Sequence, residues 1–301
     1  MFLASWFGSS AALEVAIDAE SNRKSLQRPD GKRLFIFTDG EDVAGSASVL
    51  IPPGKKLEHG GIRVELVGQL DFPNDRLQSF DFFVISKDLE AGGTLFESKK
   101  FTFRFAAVDK QAESYSGSHA RVRWFVRASL LRPYSSTLTE EAEFAVQNLL
   151  PPPEPLGLPV GVGAGVGIKM EVGIEDALHI EFEFDKQHYH TRDVVVGKVF
   201  FLLVRLKIKF MELDIVRKEF VNGTACDPET VAKFEIMDGA PVKSECIPVR
   251  MYLSPYDLSP SYKNLLNRVQ VKYFLNLVLL DEEDRRYFKQ QEIALWRKKI
   301  A

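Results

Sequence analysis

Cysteine is scarce in this 301-residue chain: there are two, Cys226 and Cys246, so no disulfide framework holds a secreted scaffold together, and the chain reads as the product of a reducing compartment. Charge of one sign is also missing. The formal net charge of −3 provides no global field for gathering polyanions, which argues against nucleic acid as a partner. No apolar run approaches the length that spans a bilayer. Met1 to Leu13 carries no Lys or Arg, and Glu14 interrupts the apolar start before a signal-peptide pattern is completed. Phe at position two and the ending Arg-Lys-Lys-Ile-Ala offer neither a myristoylation nor a prenylation motif, so contact with a membrane is expected to be indirect, through other proteins. Gly-x-Ser-x-Gly elbows, Gly-x-x-x-x-Gly-Lys phosphate loops and dinucleotide fingerprints are absent. The expectation is therefore no catalytic residues, no metal and no cofactor.

What the chain has in abundance is period-two alternation, the mark of strands with one buried face. Val122, Trp124, Val126, Ala128 and Leu130 alternate with Arg121, Arg123 and Arg127, whose face reads as solvated. Ile180, Phe182 and Phe184 alternate with His179, Glu181 and Glu183, and Val204–Phe210 reads as a strand with Arg205, Lys207 and Lys209 outward. Further strands are expected over Leu13–Ala19, Leu34–Thr38, Ile62–Leu70, Phe80–Ser86, Phe101–Val108, Phe144–Leu149 and Val269–Leu280. Short alternating strands without amphipathic helices between them predict an all-β protein of antiparallel sandwiches. The Pro- and Gly-rich stretch Pro151–Gly167 can form neither a helix nor a central strand. It divides the chain into 1–150, a linker 151–167, and 168–301. Asp39-Gly-Glu-Asp-Val-Ala-Gly45 and Arg192-Asp-Val-Val-Val-Gly197 each lead into a strand at matching places in the two halves, which points to two related domains.

Candidate chemistry is thin. His188 and His190 near Asp185, with His179, sketch a metal site, but without a fourth ligand a solvated strand end is the better reading. The acidic run Asp281–Asp284 is followed at once by Arg285 and Arg286, which favours internal salt bridging or a charged hairpin tip over Ca²⁺ binding. The glycines of Gly161–Gly167 lack the Lys-Ser/Thr ending of a nucleotide cradle. In Phe234–Lys243, Ile236 and Met237 precede the turn-forming Asp238-Gly239-Ala240-Pro241. Pattern leaves two readings for this pair: core packing, slightly favoured, or an apolar patch shown to a partner on a hairpin tip.

Four long segments, Lys169–Phe184, Val194–Arg205, Phe234–Lys243 and Tyr273–Ile293, resemble the vacuolar protein sorting twenty-six subunit of retromer. Phe37–Glu41, Gly54–Arg63 and Glu113–Gly117 extend the resemblance into the first half more loosely. The resemblance implies two arrestin-like β-sandwich domains joined by a linker, in a cytoplasmic, non-enzymatic adaptor peripheral on endosome membranes. It also implies binding to retromer's α-solenoid scaffold subunit, of the vacuolar protein sorting thirty-five type, through Ile236, Met237, Asp238, Gly239 and Pro241. This favours display of the apolar pair over burial. Val172 and Phe288 match the family's groove for sorting-signal peptides of membrane cargo, shared with phox-homology sorting nexins; the implied role is retrograde endosome-to-Golgi and recycling transport. The chain departs from the family in its longer linker, its divergent Met1–Ser10 and its stop at Ala301 without a polar tail. Rival readings are another arrestin-like trafficking scaffold, for which the expected Pro-Pro-x-Tyr motifs are absent, and a β-sandwich hydrolase using an unrecognised carboxylate pair.

Overall fold

The computed structural model describes residues 11–20, 22–28, 30–73, 79–148, 167–174 and 176–297. The expected linker 151–167 therefore lies outside the described residues, except for Gly167. Among those described there is no helix, and the chain divides into two compact units, Met1–Asn148 and Leu149–Ala301.

Each unit is built from two sheets. In the first, a three-stranded sheet runs in the order Ala12–Ile17, Val43–Leu50, Lys99–Phe105. A seven-stranded sheet runs Ser25–Gln27, Arg33–Phe37, Leu138–Val146, Arg121–Leu131, Leu57–Asp71, Ser79–Leu95, with Tyr115–Ser116 added to Arg121–Leu131. In the second, a four-stranded sheet runs Ile168–Ile174, Leu178–Phe184, Val194–Val204, Cys246–Tyr252. Its larger sheet runs His188–His190, Arg286–Trp296, Val269–Asp281, Ile208–Val221, with Glu229–Asp238 and Thr224–Ala225 both on Ile208–Val221 and Tyr262–Leu265 on Val269–Asp281.

The two units repeat one topology. In each larger sheet a short strand pairs in parallel with the last long strand, Arg33–Phe37 with Leu138–Val146 and His188–His190 with Arg286–Trp296, and the other pairings are antiparallel. The outer place beside Leu57–Asp71 is taken by Ser79–Leu95, and the same place beside Ile208–Val221 is taken by Glu229–Asp238. The Asp-Val-x-Gly and Asp-Val-x-x-Gly echoes fall on Gly45 and Gly197, in matching strands of the smaller sheets. A Cβ on Gly45 would overlap the carbonyl oxygen of Ala16, and one on Gly197 that of Glu183, so only glycine lets the backbones approach this closely. Among the described residues, Ile168–Ile174 is an additional edge strand without a counterpart in the smaller sheet of the first unit.

Alternation places the cores. Val43, Ala47, Val49, Phe103 and Phe105 are buried from the smaller sheet, and Val64, Leu66, Trp124, Val126 and Phe144 from the larger. Each large apolar side chain so buried contributes about 1.5–3 kcal/mol. Trp124 has Phe82 and Phe83 against its ring at 5.4 and 5.3 Å and donates its Nε1–H to the Ala112 carbonyl at 2.9 Å, so its one polar atom is satisfied.

Two expectations need correction. The arginine face of Arg121–Leu131 is not simply solvated. Phe125 is buried there between the Arg123 and Arg127 guanidiniums, at 4.8 and 5.1 Å from its ring centroid. Arg121 pairs with Glu143 at 2.8 Å, and Arg123 and Arg127 both reach Glu141 at 3.1 Å, forming a half-buried ladder with the neighbouring strand. Likewise, Val204–Phe210 is not one strand: the strand in the four-stranded sheet ends at Val204 and the next, in the other sheet, begins at Ile208. Between them the Arg205 N–H donates to the Ala177 carbonyl at 2.8 Å and the Lys207 carbonyl accepts from the Glu282 N–H at 3.0 Å. The charges do point outward, because an extended crossing between sheets preserves the alternation while leaving the ladder.

Trp124→Ala removes the largest buried side chain among the described residues of the first unit and orphans the Ala112 carbonyl. It is expected to cost about 3–5 kcal/mol, read as a lower urea midpoint. A loss under about 1 kcal/mol would contradict this assignment of the core.

Candidate functional site

Among the described residues, Glu229–Asp238 is held on one side only, by Ile208–Val221. Met237 stands opposite Met211 and Glu235 opposite Glu212, so Ile236 has no residue across from it and forms a β-bulge. In regular strand, neighbouring side chains point to opposite faces. With the bulge, Ile236 and Met237 are both half-buried, neither sealed in the core nor fully free.

The chain beyond them is not a hairpin, contrary to the expectation for Asp238–Pro241. It crosses to Cys246–Tyr252, which belongs to the four-stranded sheet and pairs with Val194–Val204. Asp238 still pairs with Phe210. Gly239, at φ +121°, donates its N–H to the Lys209 carbonyl at 2.9 Å, and Pro241 is buried rather than displayed. The crossing is internally braced: the Val242 N–H donates to the Glu245 carboxylate at 2.8 Å and the Ser244 N–H to the Phe201 carbonyl at 2.7 Å. Val242 itself is 66% exposed. An apolar edge (Ile236, Met237) is thus followed by a fixed loop carrying a further apolar side chain, the kind of surface that buries against a partner.

The support under this edge includes a residue that sequence reasoning saw only as part of a charge run. The Asp281 carboxylate, almost fully buried, accepts from the N–H groups of Glu283 and Arg285 at 3.0 and 2.9 Å, from Arg285 Nε at 2.7 Å and from the Tyr287 hydroxyl at 2.9 Å. The hairpin it organises grips residues 207–209 through Lys207–Glu282 and Lys209–Asp284, both 3.3 Å, and Lys209 in turn holds Gly239. Internal salt bridging of this run is what the sequence led us to expect.

The other two sequence-derived residues lie in different sheets of the second unit. Val172 is half-buried on the edge strand Ile168–Ile174, opposite Ile180. Phe288 is 65% exposed on Arg286–Trp296, opposite Val278. Among the described residues, only Ala294–Trp296 of that strand pair on the far side, with His188–His190, so at Phe288 the strand has one described neighbour. Both residues therefore sit on open edges, where free N–H and C=O groups are available to an added strand.

The histidines do not converge. His190 is buried against Trp296, ring centroids 5.6 Å apart, and accepts at Nδ1 from the Arg192 N–H at 3.1 Å. His188 shares that strand, His179 is in the other sheet, and Asp185 is bound by the Tyr189 hydroxyl at 2.8 Å.

Burial works against the charge of Asp281, but Arg285, through its side chain and its N–H, and the Tyr287 hydroxyl hold its pKa down to about 2. A carboxylate depressed below its unfolded value of about 3.9 stabilises the fold above that pH and loses the contribution as pH falls toward about 2. Asp281→Asn is expected to melt below the wild type at pH 7, with the gap narrowing between pH 4 and pH 2 as the wild-type carboxyl protonates. A gap that is constant with pH would remove the charge from the account.

The chain was compared with known proteins. The family model for vacuolar protein sorting-associated protein 26 matches residues 7–284. The Plasmodium falciparum protein of that name is 55% identical over 305 residues, covering 99% of this chain and 100% of the relative. The Dictyostelium discoideum protein is 45% identical over 308 residues, with 100% and 86% covered, and vacuolar protein sorting-associated protein 26B of Danio rerio is 46% identical over 301 residues, with 97% and 88% covered. Two β-sandwich units and full-length identity at this level agree: the chain belongs to the vacuolar protein sorting-associated protein 26 family.

Proposed function

We propose that this chain is the cargo-recognition subunit of retromer, a non-enzymatic adaptor. It docks on the α-solenoid scaffold subunit through the bulged edge at Ile236 and Met237 and, together with phox-homology sorting nexins, captures sorting-signal peptides of membrane cargo along the open edges that carry Val172 and Phe288. Two sandwich domains, 1–150 and 168–301, are joined by the connector 151–167. The protein works in the cytoplasm and on endosome membranes, to which its partners bring it, in retrograde and recycling transport.

The observation that carries this reading is the bulge. Two consecutive apolar side chains kept half out of the core, on a strand with a free edge, are poorly used by the fold alone and well placed to enter an apolar pocket. Membership of a vacuolar sorting family supports the setting. Asp238, Gly239 and Pro241 act as shape rather than contact: Asp238 ends the ladder, Gly239 turns the chain at positive φ, and Pro241 anchors the crossing.

The double variant Ile236→Asp, Met237→Asn is expected to lose at least about thirtyfold in calorimetric affinity for the scaffold subunit, equivalent to about 2 kcal/mol, while still unfolding cooperatively. Phe288→Asp, at an exposed position, is expected to leave melting and scaffold affinity unchanged and to weaken capture of a cargo peptide in the presence of the nexin. Unchanged scaffold affinity in the folded double variant would take this edge out of the interface.

A further inference from the structure

On the outer face of the four-stranded sheet, Glu171 and Glu181 are directly opposite each other on antiparallel strands, and His179 lies two residues before Glu181. Like charges directly across a ladder repel. The neighbouring row solves this with Lys169 and Glu183, paired at 2.6 Å, so that lysine is already committed. Glu171 and Glu181 have no lysine or arginine in ion-pair contact among the described residues; His179 Nε2 stands 3.5 Å from the Glu171 carboxylate, too far for a good hydrogen bond. That nitrogen is shut off from water and has no hydrogen-bond partner, although the outer part of the ring is exposed. A shielded imidazole nitrogen facing carboxylate oxygens is unfavourable when its lone pair points at them. It becomes favourable when a cation lies between.

One nitrogen and two carboxylate oxygens lie within 4.8 Å of one another. Ligands at about 2 Å around a tetrahedral ion stand about 3.3 Å apart, so side-chain rotation suffices to close this set. Gly173, across from His179, leaves the approach open. We propose that Glu171, His179 and Glu181 form a Zn²⁺ site with one position left to water. The mixed nitrogen and oxygen set favours zinc over Ca²⁺ or Mg²⁺, which select all-oxygen cages. Bound metal clips the strand Ile168–Ile174 onto Leu178–Phe184, and so steadies the strand that carries Val172. This proposal does not rest on the retromer reading.

The test is Zn²⁺ titrated into the full chain in chelator-free buffer at pH 7, followed by calorimetry and melting. One ion per chain and a raised melting temperature at about 100 μM Zn²⁺ are expected, with no rise in Ca²⁺ or Mg²⁺ at the same concentration. His179→Gln and Glu181→Gln, at positions on the outer face, are expected to keep the metal-free melting temperature and to weaken binding at least tenfold, whereas His188→Gln leaves it unchanged. No binding, an equal response to Ca²⁺, undiminished binding in His179→Gln, or loss in His188→Gln would each overturn the site. The first would leave only the His179–Glu171 contact in its place.

Discussion

Each sandwich depends on a backbone approach that excludes even one methyl group. Gly45 lies against the Ala16 carbonyl and Gly197 against that of Glu183, at the same place in each unit, where the chain leaves the Asp-Val pair and enters the smaller sheet. A Cβ at either position would drive two paired strands apart. The order of the larger sheets follows the same plan in both units, including a short strand paired in parallel with the last long strand. One design has been used twice, and the uses differ at their edges.

Those differences are where Ile236, Met237 and Val172 lie. The outer strand of the first larger sheet, Ser79–Leu95, is long, while its counterpart, Glu229–Asp238, is short, bulged at Ile236 and followed by a braced crossing. Among the described residues, the second unit also has Ile168–Ile174 in its smaller sheet, without a counterpart in the first. Free edges risk unwanted pairing, and proteins manage them with bulges and charge. Here the edge is bulged and braced by the charged Asp281 hairpin, with Ile236 and Met237 half-buried beside them. A rigid edge gives up little conformational freedom on binding, so more of the contact energy appears as affinity.

Much of the fold was legible in the sequence because alternation reports burial directly. The expected strands at Leu13–Ala19, Ile62–Leu70, Phe101–Val108 and Val269–Leu280 each coincide with an observed strand, to within a few residues at the ends. Alternation does not report pairing. It ran unbroken through Arg205–Lys207, where the chain changes sheets, and it put Phe125 on a wet face that Arg123 and Arg127 in fact cover. At the candidate site, turn chemistry in Asp238–Pro241 was visible but its destination was not, since a crossing and a hairpin use the same residues. The bulge at Ile236 depends on register with Met211 and Glu212, which no local pattern encodes. Asp281 was hidden among neighbours of like charge, because only the structure separates the carboxylate that turns inward from Glu282, Glu283 and Asp284, which remain exposed.

The central claim, that the bulged edge of the second unit is the face presented to the scaffold, is tested most directly by hydrogen–deuterium exchange of the full chain with and without the α-solenoid subunit. Amides across 234–246 should gain protection in the complex, while those of Arg121–Leu131 in the first unit exchange as they do in the free chain. Protection confined to other segments, with 234–246 exchanging as before, would contradict the account.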